Sequence, residues 1–156
     1  MRERTTTKLR ETKFFFQRLI HESDKDAPSE PEAFLFYLNA FLTAGESVRC
    51  FLEEDYGYER RKAGRVFEFM NEQRRIVVHR EGTPDVELTW VHVPLTRARA
   101  DHPAFGHHFF APPGTPLPTV GKRSYAFRIG DKEVSVIQFC REYLEALERV
   151  VEETAD

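Results

Sequence analysis

Apolar side chains return every three or four positions through three stretches of this chain and again near its end, the period of α-helices with one buried face. Leu9, Phe16, Leu19 and Ile20 predict a first helix over residues 7–22, which breaks up in the polar run SDKDAPSEP. Ser29 and Glu32 then stand at capping-box spacing, with Pro31 in the first turn. Phe34, Leu38, Phe41, Leu42, Gly45, Val48 and Leu52 share one broad face beyond them and predict a second helix over 30–54. Gly45 is the odd member of that face. A glycine inside a helix costs about 1 kcal/mol against alanine, so its presence predicts a neighbouring helix passing close by. Val66, Phe67, Met70, Val77 and Val78 mark a third helix over 59–80, stopped by Gly82 and Pro84. Ile137, Cys140, Tyr143, Leu144, Leu147, Val150 and Val151 form the cleanest stripe, over 136–153, behind a second capping-box spacing at Ser135 and Gln138.

Between the third and last helical stretches the period changes. DVELTWVHV is β-branched and aromatic, and Tyr125, Phe127 and Ile129 alternate with Ala126 and Arg128, so both segments read as strands. Proline is absent from 32–83 and after 118, but five prolines fall between 103 and 118. That stretch reads as a loop with room for a short strand at 108–111. The pattern as a whole predicts a mainly α protein, a four-helix bundle with a small β insertion at about 85–130, forming one domain over 1–156.

Charge adds a local feature. The chain carries 23 Lys and Arg against 26 Asp and Glu, a formal net of −3, which excludes a globally basic nucleic-acid coat. Residues 60–80 nonetheless hold Arg60, Arg61, Lys62, Arg65, Arg74, Arg75 and Arg80 against only Glu68 and Glu72. The two cysteines, Cys50 and Cys140, lie inside apolar helical patterns and read as buried thiols, with no zinc or disulfide spacing. Asp101, His102, His107 and His108 sit in the Pro-rich loop without helical geometry and read as solvated, so neither a metal nor another cofactor is expected. Trp90, His92 and the phenylalanines near 109 read as packing residues of the small sheet. The most apolar run, Phe34–Leu42, is far shorter than the ~20 residues that span a bilayer, and residues 2–13 are too polar for a signal peptide. The expected location is cytoplasmic, with no membrane partner.

The stretch FEFMNEQRRIVVHREG, with FLFYLNAFLTAGESVRCFL before it and CREYLEALE after, resembles the HEPN superfamily (higher eukaryotes and prokaryotes nucleotide-binding). The likeness covers mainly residues 7–82, more loosely 135–150, and is nearest to a prokaryotic branch with an added β segment. The resemblance implies an all-helical bundle with an R-x4–6-H motif near a helix end, matched here by Arg74 and His79. It also implies a metal-independent endoribonuclease, often a toxin or defence effector, whose cleft forms at a homodimer interface. Some members are instead non-catalytic modules that bind nucleic acid or a protein partner, such as an antitoxin. Nuclease members commonly carry a small polar residue after the motif's arginine, where this chain has Arg75.

The chemistry of the two residues suits RNA cleavage by attack of a 2′-hydroxyl. Histidine, with an ordinary pKa near ~6.5, exchanges protons at neutral pH, and arginine offers a charged fork to the phosphate. The expected site is therefore Arg74 and His79, with Arg60, Arg61, Lys62, Arg65 and Arg75 holding RNA. Helical geometry gives an alternative. Five positions turn about 500°, so Arg74 and His79 project about 140° apart. Arg74 falls on the apolar stripe, to be paired in the core or turned to a partner. Arg75 and His79 share a face with Glu68 and Glu72, where Arg75 would pair with a glutamate and His79 would cap the helix dipole.

Overall fold

The structure is a computed structural model that describes residues 3–24, 31–59, 64–79, 86–94, 119–129 and 131–154. Its elements run α1 (Glu3–Ser23), α2 (Pro31–Tyr56), α3 (Gly64–His79), β1 (Val86–Pro94), β2 (Thr119–Ile129), β3 (Lys132–Ser135) and α4 (Val136–Glu153). The protein is thus mainly helical with a small sheet. One helix start differs from the sequence expectation. α1 starts at Glu3 rather than 7, and Thr5, buried one turn before Leu9, carries its inner face toward that start. α3 is described from Gly64 onward, and residues 60–63 lie outside the described residues. Ser29, the 108–111 stretch and the histidine-rich loop lie outside the described residues.

Among the described side chains, each helix turns its apolar stripe inward. Leu9, Phe16 and Leu19 of α1 join Phe34, Leu38, Phe41, Leu42, Val48 and Leu52 of α2. Phe67 and Met70 come from α3, and the whole predicted stripe of α4 is buried except Ile137. Phe16 and Phe41 link α1 to α2 with ring centres 6.0 Å apart. α2 stops where expected. Gly57 takes φ +64°, a left-handed turn that favours glycine, and the N–H groups of Gly57 and Tyr58 donate to the carbonyls of Glu53 and Leu52.

The start of α4 shows its cap directly. The Gln138 backbone N–H donates to Ser135 Oγ at 3.3 Å, satisfying one of the donors a helix start leaves open. The close approach at Gly45 is also present. A Cβ added there would lie 2.5 Å from Cε1 of Tyr143 on α4. The Tyr143 ring also meets Phe41 and Phe67 edge-on, at 5.9 and 5.2 Å.

The sheet is antiparallel in the order β1-β2-β3. β1 and β2 pair from Val86 opposite Phe127 to Pro94 opposite Thr119, while β3 pairs only with the end of β2, from Ala126 opposite Ser135 to Ile129 opposite Lys132. The sequence pattern missed β3, which runs straight into the α4 cap. Aromatic rings fix the sheet to the helices. Tyr125 stacks on Phe34 with centres 3.8 Å apart, and Phe127 meets Phe69 of α3 and Phe139 of α4 at 5.2 and 6.0 Å.

Candidate functional site

A charged cluster lies between α2 and α3. Glu46, Arg49 and Glu53 stand three and four positions apart on α2, so their side chains meet on one face. Arg49 Nε donates to Glu46 Oε2 at 2.9 Å, Arg49 Nη2 pairs with Glu46 Oε1, and Arg49 Nη1 pairs with Glu53. The Glu46 and Arg49 side chains are 7% and 4% exposed, so this is a buried pair rather than a surface one. The hydrogen bonds to Glu46 hold the Arg49 guanidinium further above its ordinary value, although burial opposes them.

Arg74 of α3 closes the cluster from the other side. Its Nη1 is 3.9 Å from Glu46 Oε1, and its side chain is 34% exposed. Its Nε is shut off from solvent and has no acceptor among the described residues. Of the two fates the sequence left for an arginine on the apolar stripe, the structure places Arg74 against a core carboxylate. Cys50 sits beside the pair, with Sγ 3.9 Å from Glu46 Oε1, and is only part-buried. Burial first, and Glu46 next, push its thiol upward. Cys140 is fully buried as expected, and burial pushes its thiol up strongly.

The other expected site residues divide. His79 is the last residue of α3, about 7.5 Å along the axis from Arg74, and its side chain lies outside the described residues. Arg65 and Arg75 are exposed, and Arg75 Nη1 pairs with Glu72 Oε2 at 3.3 Å, the surface pairing that the helical spacing allows. Arg60, Arg61, Lys62 and Arg80 lie outside the described residues, as do the side chains of Trp90 and His92. Among the described residues, no three His, Cys, Asp or Glu side chains gather as a metal site would need, and no helix is long and apolar enough to cross a membrane.

Sequence reasoning missed Glu46 and Arg49, which read as ordinary surface charges. A signal was present in the helical spacing: Glu46 stands four positions after Leu42, and Arg49 four after Gly45 and three before Leu52. Compared with protein-family models, curated proteins and solved structures, the chain matches none.

Proposed function

We propose that this protein is a HEPN-like, metal-independent endoribonuclease that acts as a homodimer. Arg74 holds the scissile phosphate and His79 transfers protons. The observation that carries the reading is Arg74 itself. It is a guanidinium one-third open to solvent, held to its carboxylate at a loose 3.9 Å, on a helix that also exposes Arg65 and Arg75. In the reaction the 2′-oxygen bonds to the adjacent phosphorus, and the P–O5′ bond breaks. The products are a 2′,3′-cyclic phosphate and a free 5′-hydroxyl. One proton leaves the 2′-hydroxyl and one arrives at the 5′-oxygen, both within the range of a histidine. Arg74 offsets the charge that gathers on the phosphate oxygens.

The test is cleavage of a labelled RNA in EDTA. The expected result is cleavage with a cyclic phosphate end, a rate governed by a group titrating near neutrality, and a loss of about 10²-fold or more in His79→Ala. That variant keeps its fold, because a histidine at a helix end is worth only about 0.3–1 kcal/mol. Wild-type protein that leaves RNA intact, or a His79→Ala variant as fast as wild type, removes the catalytic assignment.

A second reading, a non-catalytic module that binds RNA or a protein partner of the antitoxin type, is favoured by the inward turn of Arg74 onto Glu46. Salt-sensitive RNA binding without cleavage would support it.

A further inference from the structure

We infer that Arg74 is a two-position arginine, parked against Glu46 in the free protein and moved outward onto a phosphate group when ligand binds. The inference deepens the proposed RNA-binding role of Arg74 and rests on it.

The two arginines that share Glu46 are held very differently. Arg49 takes both Glu46 oxygens, through Nε at 2.9 Å and through Nη2, and adds Glu53 on its third nitrogen. Glu46 therefore keeps a full bidentate partner whether or not Arg74 is present. Arg74 adds charge at 3.9 Å, beyond hydrogen-bond reach, and its Nε is buried with no acceptor among the described residues. A buried donor left unmade is costly, and the cost ends when the side chain turns out. A phosphate offers two oxygens to the Nε and Nη edge of a guanidinium, the fork that the parked position leaves unused. The 34% exposure of the side chain means that its outer side already meets solvent. Glu46 and the phosphate are thus competitors for one arginine, and the carboxylate sets the threshold for binding.

The experiment uses a 2′-O-methyl oligonucleotide, which binds without being cut, in EDTA at low salt. In wild type, saturation with the oligonucleotide is expected to shift the Nε–H NMR resonance of Arg74. Arg74→Ala is expected to weaken binding about tenfold, the loss of one charged hydrogen-bonding group. Glu46→Gln is expected to tighten binding several-fold, and the double variant to bind like Arg74→Ala alone. Tightening by Glu46→Gln in both backgrounds would reveal only a change in overall charge and would overturn the inference. A folded Glu46→Gln protein that binds no better than wild type would do the same. Should that variant fail to fold, the wild-type resonance decides, and an unmoved Nε–H at saturation overturns the proposal. If the oligonucleotide does not bind at all, pyrophosphate replaces it as probe. A shift with pyrophosphate then keeps the two-position arginine and removes RNA, while an unmoved resonance removes both.

Discussion

At the scale of single residues, Gly45 carries the plainest energetic statement. Its place on a buried helix face predicts a close neighbour, and Tyr143 is that neighbour. Replacing Gly45 with alanine gains about 1 kcal/mol of helix propensity but drives a methyl group into the tyrosine ring, an overpacking worth about 1–3 kcal/mol. Gly45→Ala is therefore expected to lower the urea midpoint, by about 1 kcal/mol in unfolding free energy. In a Tyr143→Leu background, the same change should become neutral or stabilising. An alanine that stabilises the otherwise wild-type protein would contradict the packing described here. Gly45 was legible because glycine has few reasons to sit inside a helix. Glu46 and Arg49 were not, because a charged residue reads as solvated until its surroundings are known. The packing of α3, with Arg74, and of α4, with Tyr143, surrounds them as a buried pair.

At the scale of elements, helices were easier to read than their starting points. α4 was legible from end to end because it has both a strong apolar stripe and a chemical start signal. Ser135→Ala removes the acceptor for the Gln138 N–H and is expected to cost about 1 kcal/mol in denaturant unfolding. Ser135→Asp should restore most of that loss, and an unchanged midpoint in the alanine variant would mean the cap carries no weight. α1 was read four residues short because the one buried side chain of its added turn is a threonine, Thr5. Thr12 hides its polarity by donating its Oγ1–H to the Lys8 carbonyl at 2.8 Å, so a nominally polar position joins the inner face. β3 escaped because four residues leading directly into a helix cap give too little alternation to read.

At the scale of the whole molecule, the chain carries 14 phenylalanines, and most of those among the described residues pack inside or against the core. Among the described residues two rings are left largely exposed, Phe14 on α1 at 51% exposure and Phe36 on α2 at 66%. Phe14 is shielded on one face by the Arg18 guanidinium, 5.1 Å from its centre. A stable interface buries about 800 Å² on each partner, whereas one aromatic ring supplies about 150–250 Å². These residues can therefore centre a contact but not complete one. The expected behaviour is a weak dimer, seen by light scattering at tens of micromolar and reduced by Phe36→Ser. A wild-type protein that stays monomeric at those concentrations would remove the homodimer from the proposed function.

The first helix is joined to the last. α1 packs on α4 as well as on α2, and Lys13 pairs with Glu148 across that seam. During synthesis the α1–α2 pair can meet early, but its interior stays open until the α4 side chains arrive. Closing that seam demands the longest loop in the chain, so the step is expected to set the folding rate. A fragment released after residue 135 should bind a hydrophobic dye and be cut quickly by protease, where the full chain resists both. The ribosome thus exposes a sticky, half-built interior from the emergence of α2 until that of α4, and aggregation competes with folding throughout that interval.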